Sequence, residues 1–239
     1  MRSPLPALLL LALAASPAAA AERLLVVELF TSQGCSSCPP ADALLAELAR
    51  TDATLLPLGL HVTYWDRLGW KDPFSLPQAT ERQRRYSAQL GLEGVYTPQM
   101  VIGGQHQAIG SDRAAVRAAL AEARRDARSV PLTLATDPAG LRIQAGAASG
   151  AGAANGAGAA SGAGTLYLVG FDAQHATKVQ AGENGGRTLP EANVVRSFAA
   201  AGPWRGAALS VALPRPPGER VAVLLQADDG RILGAATLP

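Results

Sequence analysis

Thiols, thioethers and imidazoles are scarce in this chain. Its 239 residues include two cysteines, two methionines and three histidines. Charged side chains make up 17% and aromatic ones 5%. The formal net charge is +2, and no Arg or Lys cluster is interleaved with aromatics. That excludes the basic footprint of a nucleic-acid-binding protein. No stretch after residue 20 is apolar over the roughly 20 residues that a membrane-spanning helix needs. What remains is a globular composition, 48% hydrophobic, long enough for one large domain or two small ones.

Residues 1–21 read as a signal peptide. Arg2 supplies a positive start and Leu8 to Ala15 an apolar stretch too short to span a bilayer comfortably. Ser16-Pro17-Ala18-Ala19-Ala20 supplies the small residues of a cleavage site, placed after Ala20 or Ala21. No cysteine sits just after the cut to carry a lipid. The protein is therefore expected to be exported, periplasmic or extracellular, with no stable membrane span after cleavage. Thiols in such a compartment are normally paired. Cys35 and Cys38 are the only candidates, and they would close a very small loop. The entropic gain from a cross-link falls with loop size, so this pair is poorly suited to stapling a fold.

Residues 24–30 read as a buried strand, rich in Leu and Val and interrupted by Glu28. Pro39 and Pro40 suit the first turn of a helix, where no N–H is needed. Ala41, Leu44, Leu45 and Leu48 then recur at helical spacing. Residues 55–64 alternate as a second strand, parallel to the first. A loop holding Trp65, Asp66, Trp70, Lys71 and Asp72 leads to a helix over 77–90, with Ser75 as its expected cap and Gly91 as its stop. Residues 99–102 and 106–109 flank the hairpin signal Gly103-Gly104. Ser111 is the expected cap of a last helix over 112–128.

The order is βαβ, helix, ββα. Cys35-Ser36-Ser37-Cys38 lies between the first strand and the first helix, and Thr97-Pro98 stands directly before the third strand. In these respects the stretch resembles the thioredoxin-like superfamily. A fuller block runs from Glu28-Leu29-Phe30 through Pro39-Pro40-Ala41-Asp42. It continues with His61-Val62-Thr63-Tyr64-Trp65-Asp66, Gly69-Trp70-Lys71-Asp72-Pro73-Phe74 and Tyr96-Thr97-Pro98-Gln99-Met100. That block is similar to a family of exported bacterial proteins known only as a domain of unknown function. The resemblance covers residues 24 to 128. It implies a thioredoxin-like α/β fold, a redox dithiol, and a cis bond at Pro98 that leaves the Thr97 backbone free to pair with an extended substrate. It brings no established substrate.

The thiolate is the reactive form of cysteine, and helix N-termini and Cys-x-x-Cys spacing both favour it. Cys35 is the candidate nucleophile, and Cys38, one turn inward, the candidate resolving thiol. In thioredoxins a buried strand carboxylate accepts the resolving thiol's proton. Glu28 is the candidate for that role, although it lies one residue further from the first cysteine than the pattern has it. Its other reading is a carboxylate at the strand edge or paired with an arginine. Trp65 and Asp66 follow the carboxyl end of the second strand, where crevices of parallel sheets lie. With Thr97 and Pro98 they are the candidate substrate contacts. The plainer reading makes this loop a satellite hydrophobic cluster, with Asp66 and Asp72 capping turns. His61 reads as a core histidine, or as a third ligand if the cysteines bind copper.

Beyond residue 130 the pattern changes. Leu132, Leu134, Leu141 and Ile143 outline a hairpin turning at Asp137-Pro138-Ala139-Gly140. A Gly/Ala-rich hexapeptide repeats three times over 147–164, and 146–164 reads as a flexible insertion. Strands are expected at 165–171, 192–199, 207–213, 220–226 and 231–237. The expected organisation is thus a thioredoxin-like domain over 22–129 followed by an all-β, sandwich-like module over 130–239.

The expected function is thiol–disulfide exchange on a protein or small-thiol substrate, as an oxidoreductase requiring no organic cofactor or bound metal. Two alternatives stand beside it. One is a Cu(I) carrier using the same soft thiolates, which the scarcity of methionine (Met1 and Met100 only) disfavours. The other is a non-catalytic partner-binding module on a vestigial thioredoxin fold.

Overall fold

The protein is described from a computed structural model covering residues 24–126, 129–148 and 162–238. The expected signal peptide, and residues 149–161 of the repeat tract, lie outside the described residues.

β1 (Leu25–Thr31) is buried along its whole length because both of its faces are covered. Strand alternation sends Val26 and Phe30 into one apolar cluster and Leu25, Val27 and Leu29 into another. α1 (Pro39–Thr51) lays Ala41, Leu44 and Leu45 on the second cluster. β2 (Leu55–His61) runs parallel to β1, from Leu25 opposite Leu55 to Thr31 opposite His61. The strand expected to reach Tyr64 stops there. Thr63–Trp65 coil into a 3-10 turn, and Thr80 Oγ1 accepts the Thr63 N–H at 2.9 Å. α2 (Pro77–Gln89) covers the first cluster with Ala79 and Tyr86. Its N-cap is Leu76 and not Ser75, whose hydroxyl donates to Asp66 at 2.7 Å.

β3 (Gln99–Ile102) pairs antiparallel with β1, and β4 (His106–Ile109) with β3. α3 (Arg113–Arg124) packs Val116, Ala119, Leu120 and Ala123 onto the second cluster. Its cap is Asp112 and not Ser111: the carboxylate accepts the Ala114 and Ala115 N–H groups at 3.0 and 2.9 Å. One side chain thus satisfies two orphan donors and places negative charge at the positive end of the helix.

β5 (Leu132–Asp137) and β6 (Gly140–Ala145) form the expected hairpin. β7 (Gly164–Lys178) and β8 (Thr188–Trp204) make a hairpin of 15 and 17 residues, far longer than the short strands read from sequence. The polar residues that hid the extension, such as Asp172 and Glu191, are buried within it. β9 (Leu209–Leu213), β10 (Arg220–Ala227) and β11 (Ile232–Leu238) complete the chain.

The result is a mixed α/β protein with a large mixed sheet, in the order β11-β10-β7-β8-β2-β1-β3-β4, and a small antiparallel sheet, β5-β6-β9. The expected all-β, sandwich-like module over 130–239 is joined to the first half through its strands. Four of its strands extend the sheet of the first half. Only β5, β6 and β9 form a second layer, packing Leu132, Leu134 and Ile143 against Leu166, Val223 and Leu225. The seam is β2 beside β8, where Gly59 pairs with Val194. Next to it Asn193 takes a positive φ of 49°, and its Nδ2 donates to Pro57 O at 2.8 Å. Asn is one of the few residues that accept that conformation readily. Alternation in sequence identifies a strand but not its neighbour, which is why this junction was illegible. Among the described residues no helix is long and apolar enough to cross a membrane.

Candidate functional site

The segment after β1 turns tightly. Ser32 Oγ accepts the Gly34 N–H at 3.1 Å, Ser32 O accepts the Cys35 N–H at 3.1 Å, and Cys35 O accepts the Cys38 N–H at 3.2 Å. Cys38 is the N-cap of α1, and Pro39 and Pro40 open the helix without presenting N–H groups. This winding brings the Cys35 and Cys38 Cα atoms to 5.4 Å, and the two sulfurs form a disulfide. Ser37 Oγ lies 3.3 Å from Cys35 Sγ. Both cysteines are fully buried, and Ser36 and Ser37 are the exposed part of the motif. The nucleophile candidate Cys35 is thus as shielded as Cys38.

Trp65, Thr97 and Pro98 gather at this loop. A Cβ on Gly34 would lie 3.4 Å from Trp65 Cβ, and Trp65 Nε1 donates to Thr97 Oγ1 at 2.8 Å. The Thr97–Pro98 bond is cis. A Cβ on Gly110 would meet Ala41 Cβ at 3.0 Å and Pro98 Cβ at 3.3 Å, so Pro98 stands beside the first turn of α1. Asp66 is engaged elsewhere. Its carboxylate accepts the Asp72 N–H at 3.3 Å and the Ser75 hydroxyl at 2.7 Å, organising its own loop as the plainer reading had it.

Glu28 is the carboxylate paired with an arginine. It accepts from Arg82 Nε, from Arg82 Nη2 at 3.0 Å and from the Tyr86 hydroxyl at 2.5 Å. Gln226 Oε1 accepts from Arg82 Nη1 at 2.9 Å. Burial works against the Arg82 charge, but Glu28 outweighs it and holds the guanidinium protonated. The alternation of β1 puts Glu28 with Val26 and Phe30 under α2. α1 packs on the other face, with Val27 and Leu29. Glu28 is therefore turned toward α2 and Arg82, and not toward the helix that Cys38 caps.

A buried polar cluster on the α1 side of the sheet escaped sequence reasoning. His61 Nδ1 lies 2.7 Å from Asp72 Oδ2, and His61 Nε2 lies 3.7 Å from Glu191 Oε1. Asp72 also accepts the Gln33 N–H at 2.8 Å, and Gln33 Nε2 donates to Glu191 at 2.9 Å. Trp70 Nε1 donates to Gln33 Oε1 at 3.0 Å. Burial alone would discharge His61, but Asp72, then Glu191 and Asp42, outweigh it and raise its pKa to about 9. Burial likewise works against the Asp72 charge, yet His61 and two backbone N–H groups hold that carboxyl below the usual range. Asp42, one turn along α1 from Cys38, accepts from Thr31 Oγ1 at 2.8 Å; burial pushes its carboxyl up to about 7 against the pull of His61. His61 is thus a core histidine held in its cationic form. Among the described residues no group of three or more His, Cys, Asp and Glu is placed to hold a metal ion.

The turn between β7 and β8 closes over the loop. Asn184, fully buried, donates through Nδ2 to Gln33 O at 3.0 Å and to Cys35 O at 2.9 Å. Glu183 Oε2 accepts the Ser36 N–H at 2.9 Å. Nothing in a Gly-rich turn so distant in sequence signals these contacts.

An Agrobacterium tumefaciens protein of solved crystal structure is 30% identical, with a TM-score of 0.75 over 91% of this chain and 95% of that one. HBP35 of Porphyromonas gingivalis is 15% identical, with a TM-score of 0.59 over 91% of this chain and 75% of that one, a likeness of fold alone. No curated protein matches. The family described as "Protein of unknown function (DUF1223)" matches residues 26–226, and on that extent the chain belongs to it.

Proposed function

We propose that this is an exported thiol–disulfide exchange protein with a thioredoxin-like fold, acting through Cys35 and Cys38. The disulfide itself carries the reading. It closes a loop too short to add much stability. It sits at the N-terminus of α1, where the helix dipole favours a thiolate. The Ser37 hydroxyl, 3.3 Å from Cys35 Sγ, is a further donor to that sulfur. The order β1-α1-β2, α2, β3-β4-α3, with Pro98 just ahead of β3, supports the fold assignment. The apolar leader at 1–21 supports export.

In the reducing direction, the Cys35 thiolate attacks one sulfur of a substrate disulfide and expels the other as thiolate. The Cys38 thiolate then attacks Cys35 Sγ, re-forming the internal disulfide and releasing the second substrate thiolate. The reverse sequence oxidises a substrate dithiol. Thr97 and Pro98, beside Trp65, supply the backbone edge along which an extended substrate lies. Because both cysteines are buried, Trp65 and the Asn184 turn must part before a protein substrate reaches Cys35.

Equilibration of the full chain with glutathione and dithiothreitol, with thiols counted by alkylation, tests the reading. The expected result is reversible reduction at a potential between about −270 and −120 mV. Cys35→Ser should abolish turnover of a disulfide-bonded peptide. A disulfide that stays oxidised in excess dithiothreitol while the protein is folded would sink the proposal.

A further inference from the structure

The β7–β8 turn brings a fixed charge to the dithiol loop. Asn184 anchors it: Nδ2 holds Gln33 O and Cys35 O, while Oδ1 accepts from Arg187 Nη1 at 2.7 Å. The turn is closed by Val179 N to Arg187 O at 2.9 Å and Gly186 N to Val179 O at 2.8 Å. Gly182, with φ of 72°, lies against Trp70, and a Cβ there would come within 3.1 Å of Trp70 Cβ. Beside these contacts the exposed Glu183 carboxylate accepts the N–H of Ser36, the residue that follows Cys35. The Ser36 hydroxyl and then its N–H hold the Glu183 carboxyl below the usual range, so it is ionised at neutral pH.

Two effects on Cys35 follow. Glu183 occupies the Ser36 backbone donor of the dithiol loop. It also places a negative charge on the backbone of the residue next to Cys35, and a like charge disfavours the charged form. The other charged groups around the loop are largely paired. Asp72 from the loop after β2 and Glu191 from β8 flank cationic His61 of β2. Asp42 of α1 is bonded to Thr31. Arg187 of the same turn donates to the neutral amide of Asn184. Glu183 is the carboxylate that contacts the Cys-Ser-Ser-Cys backbone itself.

Resting on the exchange reading, we propose that Glu183 is a positioning residue for Cys35: through Ser36 it disfavours the Cys35 thiolate and drives the couple toward the disulfide. The chain then acts as an electron donor to oxidised substrates. The disulfide carries no charge, whereas the reduced form above the thiol's pKa does. A fixed negative charge therefore destabilises the reduced form and lowers the potential.

The test compares wild type with Glu183→Gln, which keeps an acceptor oxygen for the Ser36 N–H and removes only the charge. Reduced full-length protein is alkylated with a neutral reagent across pH, and Cys35 labelling is read by peptide mass. In Glu183→Gln the labelling profile shifts to lower pH, and the rate near neutrality rises by about threefold, the equivalent of half a pKa unit. The reduction potential rises with it. The difference fades in about 1 M salt, where the screening length is about 3 Å. Glu183→Lys goes further in the same direction. An unchanged profile, a shift to higher pH, or a shift indifferent to salt overturns the proposal while leaving thiol exchange standing. A disulfide that no thiol reduces in any of the three proteins overturns both.

Discussion

Asn184 Nδ2 donates to the carbonyl oxygen of Cys35 over 2.9 Å, joining residues 149 positions apart in the chain. The same amide reaches Gln33 O at 3.0 Å. The dithiol loop belongs to no helix or strand, and its own turns satisfy only some of its carbonyls, so the rest need partners from elsewhere. The β7–β8 hairpin supplies them from the opposite end of the sequence.

Asn184→Ala leaves Cys35 O with the Cys38 N–H alone and takes from Gln33 O its side-chain donor. A buried polar group left unpaired costs about 1–3 kcal/mol. Stability by urea titration should fall by that order, and dithiothreitol should reduce the disulfide faster as the turn lifts. Unchanged reduction kinetics would mean that the turn does not control access to Cys35.

Replacing both cysteines by serine should leave the fold intact. A cross-link over so short a loop is worth at most about 2 kcal/mol in the chain-entropy picture. Urea unfolding should shift by no more than that, with the circular dichroism spectrum retained and exchange abolished. Collapse of the fold would show that the disulfide is structural.

Stability should fall as pH rises from mildly acidic to alkaline. His61, ordinarily near 6.5, stands at about 9. Between those values the folded protein keeps a proton that the unfolded chain has released. The contribution is therefore full below about 6.5 and is lost as pH rises through about 9. Asp42, ordinarily near 3.8 and raised to about 7, acts in the same direction in the window below. Glu191, raised by burial, adds to it. His61→Gln should flatten the slope of denaturant midpoint against pH above 6.5. An unaltered slope would remove His61 as its source.

Glu28 and Arg82 predict a separation of stability from redox chemistry. Arg82→Met strands a buried carboxylate, and breaking such a pair costs about 3–5 kcal/mol. Glu28→Gln should lower the unfolding midpoint while leaving the rate of mixed-disulfide resolution unchanged, since α1 lies on the other face of β1. Slowed resolution in a folded Glu28→Gln variant would restore Glu28 as the proton acceptor.

Much of the first half was legible because local rules govern it. Apolar runs, the Pro39-Pro40 start and the Gly103-Gly104 turn marked its elements to within a few residues. Caps were misplaced by one residue, from Ser75 to Leu76 and from Ser111 to Asp112, because neighbouring residues compete for one position. The site was legible only in part. Cys35, Cys38, Trp65, Thr97 and Pro98 converge, whereas Glu28 and Asp66 serve other bonds.

The sequence by itself determined that two thiols stand one helical turn apart between a strand and a helix, since spacing and helix-start chemistry are properties of adjacent residues. Only the tertiary structure decided what surrounds them. Strand pairing across β2 and β8 carries the long hairpin to the dithiol and sets Asn184 and Glu183 on its loop. The parity of β1 turns Glu28 away toward Arg82. Both outcomes depend on which strand lies beside which and on which face a side chain points, and local sequence encodes neither.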